Sequence, residues 1–258
     1  MGIIGLILVL LFGGGGDGGL GGFSLDNGGL SAGGTAFDTS VDATTFDTNQ
    51  EEFINTVVVD LENFWDTTSQ EFGLQYNDAT FTFYDTPTRS GCGTATAQIG
   101  PHYCPVDKGI YLELGFFDLL SRQFGAPGDA AQAYVIAHEF AHHVQNELGI
   151  STEVRTQQAR VSTSDRNALS VALELQADCL AGVWMGSFTE RATGLELERG
   201  DLEEALGAAA AVGDDRIQQA STGRIEPHKW THGSSEQRQN WFYRGYDSID
   251  TEQCDTFG

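Results

Sequence analysis

The chain has 258 residues, of which 13 are Lys or Arg and 37 are Asp or Glu, giving a formal net charge of −24 and a pI near 4.3. Nothing in that balance offsets phosphate charge, which argues against nucleic acid and against anionic membranes as partners of the soluble part. The acid excess, with Lys108 and Lys229 the only lysines, predicts a chain tuned to high salt, where screening relieves self-repulsion; an ordinary acidic secreted protein is the alternative.

Ile3 to Phe12 is almost wholly apolar. It is too short for a bilayer span of about 20 residues but fits the roughly 7–15 of an export-signal core. No Lys or Arg precedes Arg89, so the basic flank of such a signal is missing, and residues 1–12 are read as the remnant of a membrane anchor or export signal. Residues 13–47, rich in Gly, Asp, Ser and Thr, cannot bury enough apolar surface to offset ordering entropy and are expected to be a flexible linker. Residues 48–258 suffice for one domain with a substantial core.

That domain opens with a helix capped by Asn49, carrying the apolar stripe Phe53, Val57, Leu61, Phe64 and Trp65 and stopped by Gly73. FTFYD reads as a strand, and GIYLEL as a second strand ahead of an FFDLLSRQFG helix.

The next segment, PGDAAQAYVIAHEFAHHVQNELG, fits a helix in which Asp129 and Gln132 form a capping box, apolar positions recur at helical spacing and Gly149 supplies the stop. His138 and His142 are four apart and share one face, so they can hold one divalent ion, zinc being the usual guest. Glu139 then lies beside the open coordination position as the candidate general base. His143, about 100° round the helix from His142, is assigned to packing. The alternative is a helix whose histidines only cap and hydrogen-bond.

Ser151 to Thr163 is polar and expected to be a loop. A helix from Ser164 or Asp165 then carries LELQADCLAGVW, where a carboxylate amid apolar residues is costly unless paired or metal-bound. Glu174 is the candidate third ligand. Asp178, one turn on, could accept the second ring N–H of a ligand histidine. Gly200 to Glu204 opens another helix with acids in its first turn, and GDDRIQQAST through His232 is read as loops closing over the metal. The last expected helix runs from Glu236 through Tyr243. Four cysteines allow three pairings; Cys92–Cys104 would close a short loop and Cys179–Cys254 would tie the C-terminal tail to the Glu174 helix. With both bonds formed the domain belongs outside the reducing cytoplasm, periplasmic or at the cell surface; four reduced thiols are the alternative.

HEFAHHVQ, LELQADCLAGVW, GDLEEAL with GDDRIQ, HGSSEQR with WFYRGY, and QCDTF together resemble the neutral zinc metallopeptidase family. The likeness runs from about Asn49 to Phe257 and includes SGCGTATAQIGPHYCP and GIYLELGFFDLL. Members commonly carry an N-terminal basic stretch and a membrane span. More distantly, HExxH followed by E-x-x-A-D is similar to HtpX-type gluzincins, a resemblance that implies Glu174 as third ligand and Asp178 behind it. Those gluzincins also carry a histidine followed six residues later by arginine. His232 and Arg238 have that separation and are candidates to stabilise an oxyanion; alternatively His232 caps a loop and Arg238 pairs with an acid.

The residues and the resemblance together therefore predict a mainly helical α+β, zincin-like domain with a small sheet beside the HExxH helix, binding one Zn2+ per chain and hydrolysing peptide or protein substrates; by analogy with zincins, GIYLEL is the candidate for an exposed edge beside that helix on which an extended substrate adds as another strand, with a plain core strand the alternative. Two alternatives use the same residues. One is a membrane-tethered, non-catalytic zinc-binding scaffold, for which Glu139 would be dispensable. The other is a zinc hydrolase of a non-peptide amide or ester.

Overall fold

The computed structural model describes residues 48–71, 76–191 and 193–258. The proposed N-terminal segment, the linker and Gly73 lie outside the described residues. Helix α1 (Thr48–Glu71) buries Ile54, Val57, Val58, Leu61 and Trp65 along one stripe, with Phe53 and Phe64 at its edges.

A three-stranded sheet follows. Strand β1 (Thr80–Tyr84) runs parallel to β5 (Gly109–Glu113), and β4 (His102–Cys104) pairs antiparallel on the other side of β5. The strand proposed as an exposed edge is thus the central one: every residue of β5 is buried, and its backbone is shared between two neighbours. One face of the sheet sends Ile110, Leu112, Tyr103, Phe81 and Phe83 into the main core. The other face gathers Tyr84, Tyr111 and Cys104 with Ala95 and Cys92, contributed by the separate hairpin of β2 (Thr88–Ser90) and β3 (Gly93–Ala95). A Cys92–Cys104 disulfide fastens that hairpin's turn to β4. Helix α2 (Leu114–Arg122) leaves β5 directly, the Glu113 side chain capping its first turn by accepting from the Gly115 N–H.

Helix α3 (Asp129–Glu147) is the central element. The expected capping box is absent: Gly128 caps the helix, Asp129 is its first residue, and the Gln132 side chain meets Gln50 instead. Gly128 has φ 114° and a Cβ there would collide with the Glu204 carboxylate, which restricts the position to glycine. Gly149 ends α3 with φ 77° and also starts α4 (Ile150–Gln158), where a loop was expected. The inward positions of α4 are Ser151, Val154 and Gln158, two of them polar, so no apolar period marks it; Gln158 is satisfied by donating to Arg166 O and Ser170 Oγ.

Helix α5 (Thr163–Gly186) begins before the expected start because Ser162 caps it, accepting from the Asp165 N–H. Helix α6 (Asp201–Ala211) follows as predicted. The region read as closing loops contains α7 (Asp214–Thr222), which buries only Asp214 and Ile217 and draws support from two aspartates in its first turn. Helix α8 (Ser235–Ser248) has a full capping box between Ser234 and Gln237. It presses against α5 so closely that a Cβ on Gly182 would lie 2.1 Å from Phe242 O, and one on Gly245 would lie 1.9 Å from Cys179 O. The tail turns once at Thr251–Cys254, and a Cys179–Cys254 disulfide returns it to α5.

Candidate metal centre

Helical period places His138 and His142 on one face of α3, with ring centroids 4.8 Å apart. Glu174 reaches them from α5: its Oε2 lies 3.1 Å from His138 Nε2 and its Oε1 3.4 Å from His142 Nε2. The three donor atoms fall within 4.8 Å of one another, and all three residues are buried. Each imidazole has its Nδ1 turned away. His138 Nδ1 donates to Asp178 Oδ1 at 2.9 Å, and His142 Nδ1 is 2.8 Å from Gln145 Oε1. Both Nε2 atoms therefore converge on the carboxylate. Two imidazole nitrogens and one carboxylate match the three-ligand set of a catalytic zinc, which keeps a position open.

Burial alone would push Glu174 toward protonation, but the charges of His142 and His232 and the two imidazole hydrogen bonds hold it well below the carboxylate range. Asp178, also sealed from solvent, is held down in the same sense by Arg238 and His138. Burial disfavours the charged His138 ring, yet Asp178 and Glu174 prevail over it and over the repulsion from Arg238, so its pKa rises to about 9.

Asp178 is the hub behind His138. Its Oδ1 also accepts from Tyr134 Oη at 2.6 Å and Arg238 Nη2 at 2.9 Å, and its Oδ2 accepts from Arg238 Nε at 2.8 Å. Arg238 further donates to Tyr134 Oη and Val212 O. Of the two sequence readings for Arg238, the structure has the ion pair: the guanidinium is buried, both its Nε and its Nη2 are taken up by Asp178, and Nη2 also lies 3.2 Å from His138 Nδ1. His232 sits differently. Its Nδ1 contacts Thr231 Oγ1 at 3.1 Å and Asp214 Oδ1 at 3.4 Å. Burial lowers its pKa, but Glu174 and Asp214 together raise it. Asp214 in turn accepts from the backbone N–H groups of Thr231, His232 and Gly233, clamping this turn to α7.

Glu139 is half-buried and has no hydrogen-bond partner among the described residues. The pKa of Tyr84, at the end of β1, is raised by burial and then by the charges of Glu113 and Glu139. His143 is no part of the cluster: Nε2 donates to Asn77 O at 2.7 Å and Nδ1 faces Tyr103 Oη at 3.3 Å, the packing role the sequence assigned to it. Sequence reasoning missed Tyr134, Gln145 and Asp214. Tyr134 was counted only as an apolar position. Asp214 lay within the GDDRIQ signature, the one signal available for it.

A mainly helical α+β domain, with two histidines on buried α3 and a glutamate brought from α5, defines a zincin-like domain. The chain belongs to the family described as "Putative neutral zinc metallopeptidase", whose model matches residues 1–257. It is 47% identical over 213 residues to "Uncharacterized protein YpfJ" of Escherichia coli K12, covering 81% of this chain and 73% of that one. It is 49% identical over 176 residues to "Uncharacterized protein Rv2575" of Mycobacterium tuberculosis H37Rv, 65% of this chain and 58% of the relative. No solved structure matches.

Proposed function

We propose that this domain is a zinc-dependent peptidase. The convergence of His138 Nε2, His142 Nε2 and Glu174 on one point, with Glu139 on the next residue of the same helix, carries the reading. Zinc held there would supply Lewis acidity and make water acidic enough to ionise near neutral pH. Glu139 takes the proton of the attacking water on its carboxylate and returns it to the leaving amine nitrogen. His232 donates from Nε2 to the oxyanion that develops on the scissile carbonyl, while Asp214 holds its Nδ1 and favours the protonated ring. Asp178 fixes the His138 tautomer, so that its Nε2 lone pair faces the ligand position.

The two disulfides support an extracytoplasmic setting, and we assign the domain there, tethered or exported through its N-terminal segment. The net charge of −24 favours peptide or protein substrates over nucleic acid. Elemental analysis with peptide-library cleavage by wild type and Glu139→Gln tests the reading. One zinc per chain in both proteins, with cleavage lost only in the variant, is expected. Zinc without cleavage in wild type would sink the peptidase and leave the scaffold and the non-peptide amide or ester hydrolase.

A further inference from the structure

Resting on that metal-centre reading, we infer that Gln145 is the positioning residue that fixes the tautomer of His142 and locks its ring to the turn of α5 that carries Glu174. His138 and His142 are oriented by different means. Behind His138 stands a charged aspartate; behind His142 stands a neutral amide, fully buried and three residues further along the same helix.

The direction of the hydrogen bonds follows from their end points. A backbone carbonyl can only accept. Gln145 is 2.7 Å from Leu173 O, so its NH2 group must face that carbonyl and its Oε1 must face His142. Gln176 obeys the same rule: it is 3.1 Å from Cys254 O and must donate there, which turns its own Oε1 toward Gln145 Nε2, also at 3.1 Å. Both amides are thereby aligned in one sense. His142 Nδ1, facing an oxygen at 2.8 Å, must carry its proton, and the Nε2 lone pair is left for the metal. Leu173 immediately precedes Glu174, so the amide that aims one ligand also grips the backbone beside another. Cys254, where the relay ends, is joined to Cys179, the neighbour of Asp178. The C-terminal turn thus closes the shell around both histidines.

The test uses the full chain and the variant Gln145→Leu, with Gln158→Leu as control. Gln158 is equally a buried, doubly donating glutamine, but it bonds to Arg166 O and Ser170 Oγ and touches no ligand. Zinc affinity is measured by competition with a chromogenic chelator, and thermal stability is followed in both variants. Gln145→Leu is expected to weaken zinc binding on the order of 10- to 100-fold, whereas Gln158→Leu loses stability with zinc affinity unchanged. Equal zinc affinity in Gln145→Leu and wild type overturns the assignment. Nitrogen-resolved NMR of the histidine side chains in zinc-loaded wild type gives a reading that needs no variant: a proton on His142 Nδ1 is expected, and a proton on Nε2 overturns it. A wild-type chain that takes up no zinc overturns the metal centre itself, which distinguishes that failure from this one.

Discussion

Arg238 Nε lies 2.8 Å from Asp178 Oδ2, and both side chains are shut off from solvent. The pair joins α8 to α5 directly behind His138. Removing one partner of a buried ion pair leaves an uncompensated charge, at a cost of about 3–5 kcal/mol. Arg238→Ala is expected to lower stability by that order in denaturant titration and to weaken zinc binding with it. A stable, zinc-replete Arg238→Ala that loses only turnover would restore the oxyanion role.

His232 and Asp214 should separate catalysis from metal binding. His232→Ala is expected to lower kcat on the order of 10²–10³-fold, as loss of one oxyanion donor does, with zinc content unchanged. Asp214→Asn is expected to act in the same direction by a smaller factor, because the ring loses the carboxylate that favours its cation. Unaltered kcat in His232→Ala would remove it from the reaction.

The disulfides differ in what they restrain. Cys179–Cys254 spans 75 residues of sequence and Cys92–Cys104 spans 12. Loop entropy in the unfolded chain gives about 3 kcal/mol for a 15-residue loop and about 4.7 for a 100-residue one. The Cys179→Ser, Cys254→Ser double variant should therefore lose more stability than its Cys92, Cys104 counterpart, by about 1 kcal/mol or more. Calorimetry that finds the reverse order would show that native-state packing, not chain entropy, sets the balance.

Metal-free protein carries a pH signature. The His138 pKa is raised to about 9 from an unfolded value of about 6.5. Its stabilisation is complete below the unfolded value and is lost as pH climbs through about 9. Glu174 and Asp178 are lowered, so their contribution holds above about pH 4 and vanishes as pH falls. The Tm of the metal-free chain is expected to be highest between these limits and to fall from about pH 7 to 9.5. At pH 7 zinc must displace the His138 proton, so calorimetric binding heats should vary with the ionisation enthalpy of the buffer. A metal-free Tm that rises from pH 7 to 9 would contradict the sign.

The candidate metal ligands were legible because a spacing of four residues on a helix of 3.6 per turn sets His138 beside His142, and Glu174 beside Asp178, without knowledge of how the helices meet. The disulfides were legible as one option among three. Strand order was not: the local pattern of GIYLEL suits an edge and a centre alike, and only pairing with β1 and β4 decides. Helices α4 and α7 escaped because their inward faces are polar, and a buried Gln158 or Asp214 looks like loop chemistry until its partner is known. Gln145 escaped for the same reason, since its meaning depends on a carbonyl of another helix.

The contact of α5 with α8 at Gly182 and Gly245 puts a limit on how this site can vary. Neither glycine has a side chain to offer zinc or substrate, yet a single methyl at either would collide with a backbone atom of the facing helix. The strain would spread the pair that carries Asp178 on one side and Arg238 on the other. A random mutagenesis screen for lost zinc should therefore recover these two glycines alongside the histidines, marking a vulnerable hinge of the centre that a map of ligands alone would leave blank.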